Sequence, residues 1–160
     1  MNPKMIPAVF IPFALEAALK TQADTGIPAS FTIAQAAVES DWAGSGLSQK
    51  DFNFFGIKAI GGWTGPSQMW PTREFLQGEY VTIQAPFRKY ASMTDGFEDH
   101  AAFLTGNERY KPAFEHTGDS IAFARAIQAA GYATDPHYAD TIISIINKHD
   151  LQRLYDVVAP

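Results

Sequence analysis

Between Ala43 and Tyr90 helical periodicity disappears: glycines stand at 44, 46, 56, 61, 62, 65 and 78, and prolines at 66, 71 and 86. At that density both residues disfavour a helix interior, glycine through backbone entropy and proline through its missing N–H and a clash with the preceding turn. On either side the 3.6-residue pattern returns. The chain is therefore constrained to two helical blocks around an irregular middle. Within that middle, Met69 to Leu76 and Glu79 to Ile83 can pair as a hairpin about Gln77-Gly78. A lone hairpin is marginal in water, so it must lean on the helices. The expected class is mainly α (α+β): one domain over residues 1–160 with a small β-hairpin lobe at about 63–90.

The helical blocks can be read from their punctuation. Pro12 to Asp24 reads as a first helix, with Phe13, Ala17, Leu19 and Ala23 among its apolar positions and Gly26 ending it. Pro28 and Ser30 open a second. Its stripe of Ile33, Ala36, Ala37 and Ser40 follows the i, i+3, i+4, i+7 spacing, and its many alanines suit a central helix buried on most sides. Beyond Met93, Thr94 or Asp95 can cap a helix carrying Phe97, Ala101 and Leu104, and Asp119 can cap Ser120 to Ala130. Asp135 followed by Pro136 predicts the start of a last helix, which repeats Tyr138, Ile142, Ile145 and Ile146 and runs to about Leu154.

Glu39 is the only charge between Asp24 and Asp41, and it falls at the end of the alanine-rich helix. A carboxyl held against apolar surface resists ionisation and can donate a proton near neutral pH. Glycoside hydrolysis usually asks for such an acid and a second carboxylate. The candidates for the second are Glu74, Glu79, Asp41, Asp51, Asp95 and Asp99. Glu74 stands out in Pro71-Thr72-Arg73-Glu74-Phe75, although Arg73 or Lys89 offers it a purely structural cross-strand pairing. Trp42, Trp63 and Trp70 flank the expected cleft, and aromatic faces of this kind can stack on the C–H faces of sugars.

Composition excludes several other chemistries. A net charge of −5 argues against a nucleic-acid surface, which would present a basic patch. With no cysteine there is neither a disulfide frame nor a thiolate site, so packing alone must hold the fold. His100, His116, His137 and His149 lack the paired spacing of a zinc helix, so neither a metal nor a cofactor is expected. The apolar stretch Met5 to Leu19 contains Pro7, Pro12 and Glu16, is preceded by Lys4, and is too short to span a bilayer. It reads as a core helix rather than an export signal. Synthesis in the cytoplasm without a signal peptide and no membrane insertion are expected.

Five segments then occur in order: Ala34-Gln35-Ala36-Ala37-Val38-Glu39-Ser40, Asn53-Phe54-Phe55-Gly56-Ile57-Lys58-Ala59, Phe87-Arg88-Lys89-Tyr90, Asn107-Glu108-Arg109-Tyr110, and Gly131-Tyr132-Ala133-Thr134-Asp135-Pro136-His137-Tyr138-Ala139. Together they resemble the signature of glycoside hydrolase family 73, the endo-β-N-acetylglucosaminidases of bacterial peptidoglycan, over about residues 27 to 151. The resemblance implies a lysozyme-like helical fold with a small β-lobe. It implies cleavage of the β-1,4 bond between N-acetylglucosamine and N-acetylmuramic acid in the periplasm or cell wall, by a monomer acting on glycan strands. It places the general acid on Glu39 and, through Thr72-Arg73-Glu74 and Gln77-Gly78-Glu79, the second carboxylate on Glu74. Asn53, Phe54, Phe55 and Lys58 resemble the groove segment beside the acid, and Tyr132 and Tyr138 the aromatic positions near it. Phe54, Phe55 and Tyr138 also suit a core role. A lytic transglycosylase carries a similar Glu-Ser pair and is the neighbouring alternative, with an inactive wall-binding module as a more distant one. A phage endolysin, a secreted effector and a domain of a longer protein all fit this size.

Overall fold

A computed structural model describes residues 1–156, so the expected domain end at residue 160 lies outside the described residues. Among the described residues, seven helices, one 3-10 helix and one two-stranded sheet follow in the order α1 (Pro7–Thr25), α2 (Ala29–Ser40), α3 (Gly46–Asp51), β1 (Ser67–Leu76), β2 (Glu79–Arg88), α4 (Met93–Gly106), the 3-10 helix Glu108–His116, α5 (Ser120–Ala129), α6 (Tyr138–Lys148) and α7 (Leu151–Tyr155). The class is as expected: mainly helical with a small antiparallel hairpin.

α2 is the axis of the helical body. Every residue from Ala29 to Ala37 is buried, as is Ser40, and the helix touches α1, α5, α6 and α7. Small alanines let those neighbours approach on all sides, while Phe31 meets Phe123 of α5 edge-on at 4.8 Å. The first turn of α2 has no side-chain cap of its own at Pro28. Its N–H groups are satisfied from afar: Ala29 donates to Gln22 Oε1 at 2.8 Å and Ser30 to Asp156 Oδ1 at 2.8 Å.

Several boundaries differ from the sequence reading. α1 begins at Pro7 and continues through Pro12. Pro12 and Ala8, whose carbonyl loses its partner there, lie on the exposed side, where water can take that oxygen. Its buried stripe is Phe10, Ile11, Ala14, Ala17, Ala18 and Thr21, whereas Phe13, Leu19 and Ala23 face outward. Ser92, rather than Thr94 or Asp95, caps α4. Asp135 caps an isolated turn, accepting from His137 N–H at 2.8 Å, and α6 starts only at Tyr138. The last helix is interrupted at Asp150, which is left-handed at φ 53°, before α7 resumes. α3 and the 3-10 helix have no counterpart in the sequence pattern.

The hairpin is longer than predicted, with ten residues in each strand and the register Ser67 opposite Arg88 through Leu76 opposite Glu79. Its root is built into the body. Arg88 N–H donates to Ile57 O at 3.0 Å and Ala59 N–H to Pro86 O at 2.9 Å, so the segment after Phe55 pairs briefly with β2. Arg88 carries the junction further, with its guanidinium on Asp99 of α4 at 2.9 Å and over the Trp63 ring at 4.4 Å. Toward the tip, Phe75 and Tyr80 pair on the exposed face.

Candidate active site

Glu39 is the penultimate residue of α2, and the chain turns sharply just beyond it. Asp41, Trp42 and Ala43 are all left-handed, at φ 50°, 55° and 63°, a conformation that side-chain-bearing residues seldom adopt. Ser40 holds this turn. Its hydroxyl donates to Ala36 O at 2.6 Å and accepts from Ala43 N–H at 2.9 Å, while Trp42 N–H returns to Ala37 O at 2.8 Å. Buried carbonyl and amide groups are thereby paired, and the acid stays on a rigid helical end.

The Glu39 carboxyl is half-buried in the wall of an open cavity of about 650 Å³. The cavity is lined by Phe55 to Lys58, Ile60 and Gly61 from the loop ahead of the hairpin, by Phe103 of α4, and by Asn107, Arg109 and Tyr110 in and beside the 3-10 helix. Arg88 and Tyr132 to Thr134 complete the lining. The two carboxyl oxygens have different surroundings. Oε1 accepts the Tyr138 hydroxyl at 2.6 Å. Oε2 looks toward Gly56, where a β-carbon would stand 3.8 Å away; Gly56 is left-handed at φ 65°, so a side chain there would be strained. Burial pushes the Glu39 carboxyl above its ordinary range, and the Tyr138 hydrogen bond draws it part of the way back. Tyr132 lies stacked on Tyr138 with ring centres 5.7 Å apart.

Glu74 reaches the cavity's edge through Lys58, a cavity residue whose ammonium pairs with it. Glu74 opposes Val81 and shares a face of the hairpin with Thr72 and Ile83, the face turned toward Lys58. Three cations line the cavity, of which Lys58 is paired with Glu74 and Arg88 with Asp99; among the described residues Arg109 is the one of the three with no carboxylate partner.

The remaining sequence candidates divide. Phe55 lines the cavity and is also core, stacked on the His100 ring at 3.7 Å. Phe54 lies outside the cavity and packs between Phe13 and Phe97. Asn53 is buried and organises the loop: its amide donates to Ile57 O and Arg88 O, and its Oδ1 accepts from Phe55 and Ile57 N–H. It positions Lys58 and the hairpin root with no polar atom left for a ligand. The tryptophans do not line this cavity. The left-handed turn sends Trp42 to the other side of α2, against Phe10 and His149. Trp70 donates to Asp51 Oδ2 at 2.6 Å and seats its ring on Gly46, where any β-carbon would collide with it. Trp63 is spent on Arg88. Sequence reasoning missed Arg88, Arg109, Gln35 and His100 as site-building residues. Arg88, Arg109 and Gln35 fall inside quoted motifs, while buried His100 carries no local signal. Among the described residues no cluster of three or more His, Asp or Glu could hold a metal ion, and no helix is long and apolar enough to cross a membrane.

A protonatable carboxyl with one oxygen anchored and one facing an open, cation- and aromatic-lined groove is the equipment for protonating a glycosidic oxygen. Fold and site together define a helical glycoside hydrolase domain. The sequence profile described as mannosyl-glycoprotein endo-β-N-acetylglucosaminidase matches residues 15–151. The chain belongs to this glucosaminidase family. It is 44% identical over 136 residues to the exo-glucosaminidase LytG of Bacillus subtilis, covering 82% of this chain and 47% of that protein. It is 37% identical over 154 residues to the peptidoglycan hydrolase FlgJ of Pseudomonas aeruginosa, covering 94% of this chain and 38% of that one. The chain thus spans less than half the length of these two relatives. Among solved structures, the catalytic domain of the autolysin Auto from Listeria monocytogenes superposes with a TM-score of 0.81 at 29% identity, covering 97% of this chain and 91% of that one.

Proposed function

We propose that this chain is a peptidoglycan hydrolase that cleaves the β-1,4 bond between N-acetylglucosamine and N-acetylmuramic acid in the bacterial periplasm or wall. The observation that carries the reading is the asymmetric environment of Glu39, with Oε1 held by Tyr138 and Oε2 toward the cavity. Glu39 protonates the glycosidic oxygen from Oε2 as the bond to the leaving sugar breaks. Glu74, approaching as the hairpin moves over the glycan, activates a water on the opposite face of the ring and takes its proton. Lys58 holds the Glu74 carboxylate at the cavity's edge until then. Phe55 and Tyr132 supply ring surface, and Arg109, with Lys58 once Glu74 leaves it, offsets the negative charge of the polymer. The working unit is one domain over residues 1–160, with the lobe at about 63–90 as its moving part. A second route has support from the stacked pair Tyr132 and Tyr138 beside the acid: the substrate's own acetamido group attacks the anomeric carbon, and Tyr132 orients it.

Digestion of purified sacculi by the wild type, Glu39→Gln and Glu74→Gln, with mass spectrometry of the products, tests both points. Reducing N-acetylglucosamine ends are expected. Reducing N-acetylmuramic ends would make the chain a muramidase, and anhydro-muramic ends would make it a lytic transglycosylase. Loss of about 10²-fold or more in rate is expected for Glu39→Gln. An equal loss in Glu74→Gln supports the water route, and a small one supports the acetamido route.

A further inference from the structure

Behind the acid runs a buried file of side chains that does not touch the cavity. Tyr138 of α6 donates to Glu39 Oε1 at 2.6 Å; Gln35, one helical turn before Glu39, donates from Nε2 to the Tyr138 hydroxyl at 2.9 Å; and His100 Nε2 of α4 lies 2.6 Å from Gln35 Oε1. Gln35 is 0% and His100 1% exposed, so neither can reach a substrate.

We propose that His100 and Gln35 are positioning residues which, acting through Tyr138, keep the proton of the acid on Oε2 of Glu39, the oxygen that faces the cavity. The inference rests on reading Glu39 as the general acid.

Donor and acceptor counting makes the file one-directional. A carboxylate oxygen only accepts, so Tyr138 must donate to Oε1. The phenol has one proton, and once it is given to Glu39 the oxygen can only accept from Gln35. An amide donates through nitrogen alone, so Gln35 turns its NH2 to Tyr138 and its carbonyl to α4. That carbonyl needs a donor, so His100 carries its proton on Nε2. His100 can hold that single N–H because complete burial pushes it down to about 3, which keeps the ring neutral. Its ring is further pinned by the stack on Phe55.

The consequence appears when Glu39 takes up a proton. On Oε1 the new proton would face the Tyr138 proton already aimed there. Turning the phenol round would aim its proton at the amide NH2 of Gln35 instead. Either arrangement buries a donor against a donor, which costs the desolvation of an unpaired polar group. Oε2 has no such conflict and is the oxygen beside Gly56. The charged and titratable groups facing Glu39 from other elements are Tyr132 and Tyr138 from the α6 side, Arg109 and Tyr110 from the 3-10 helix, and Lys58 and Arg88 from the hairpin root. None of them contacts Oε1 except Tyr138.

Gln35→Met keeps the volume and deletes both the donor and the acceptor. The expected result is a fall in kcat of roughly tenfold with KM within about twofold, since only the acid's geometry is disturbed. With the file broken, the protonated acid gains Tyr138 as an acceptor and the carboxylate loses an oriented donor. The ¹³C titration of the Glu39 carboxyl and the basic limb of the rate profile should therefore both move to higher pH. Tyr138→Phe should do the same, and Gln35→Met should add nothing in the Tyr138→Phe background. His100→Phe, which keeps the stack on Phe55, should act in the same direction and carries the test if Gln35→Met does not fold. An unmoved Glu39 titration in Gln35→Met, or effects that add in the double variant, would overturn the proposal. Full activity of Glu39→Gln would instead overturn the general-acid reading, and the carboxyl titration would still report on the file.

Discussion

At the scale of single residues, Glu39, the proposed general acid, ties that proposed role to stability. Its folded pKa is raised by burial while the unfolded chain keeps an ordinary carboxylate value, so the unfolded state gives up its proton first as pH rises. Stability is therefore fully present below the unfolded value, declines between the unfolded and folded values, and stays reduced above both. Glu39→Gln cannot ionise but still offers Tyr138 an acceptor oxygen. We expect it to melt at a higher temperature than wild type at pH 7 and at a similar temperature at pH 4, as read by calorimetry at the two pH values. A lower melting temperature at pH 7 would show that the carboxylate is stabilising and the burial argument wrong. The isolation of this carboxyl is legible in the sequence because it is a local property: one charge in an apolar helix with an abrupt end. The places of Trp42 and Asn53 are not. Trp42 lies three residues from the acid yet on the far side of α2, because three successive left-handed residues reverse the direction of the chain. Asn53 lies in a groove motif, but all its hydrogen-bonding capacity is used within the loop.

At the scale of elements, the difference is between what a segment carries itself and what it borrows. Asp119 caps α5 with a side chain one residue ahead of the helix, accepting from Ile121 and Ala122 N–H, and such a cap can be read directly. α2 borrows its cap from Asp156, 126 residues from Ser30, which takes both the Ser30 N–H and its hydroxyl. No local pattern announces that pairing. Asp156→Ala should leave the α2 start under-satisfied and lower stability by about 1–2 kcal/mol in denaturant unfolding. Asp156→Asn, which keeps one acceptor, should lose less. The hairpin is borrowed in the same sense. Its existence follows from Gln77-Gly78 and the flanking strand-formers, but its full length depends on the pairing with residues 57–59 and on Arg88. Arg88→Ala removes a partner from half-buried Asp99, the hydrogen bond to Lys58 O and the stack on Trp63. A loss of about 2–3 kcal/mol is expected. Hydrogen exchange should quicken across residues 67–88 before it does so in α2. Uniform acceleration over both would mean that the root of the hairpin is not a separate joint.

At the scale of the whole molecule, charge is distributed against itself. The chain carries a net −5, which by itself repels the anionic wall polymer proposed as its substrate, while the cavity presents Arg109 and the Glu74-paired Lys58. The two effects have different ranges. Repulsion from the overall charge acts over a screening length of about 30 Å at 0.01 M salt but only about 8 Å at 0.15 M. Contacts between cavity cations and a bound glycan are shorter than either length and partly shielded from water, so salt weakens them less. Raising ionic strength from about 0.01 to about 0.15 M should therefore increase kcat/KM on sacculi, with the gain in association rather than in kcat. Arg109→Gln separates the contributions: it should raise KM at every salt concentration while preserving the upward slope. Replacing remote acidic residues such as Glu16 and Asp24 with neutral ones should flatten the slope and leave high-salt KM unchanged. If kcat/KM instead falls steadily as salt is added, the local cations govern capture as well as binding, and the acidic surface has no part in how the proposed hydrolase meets a wall polymer.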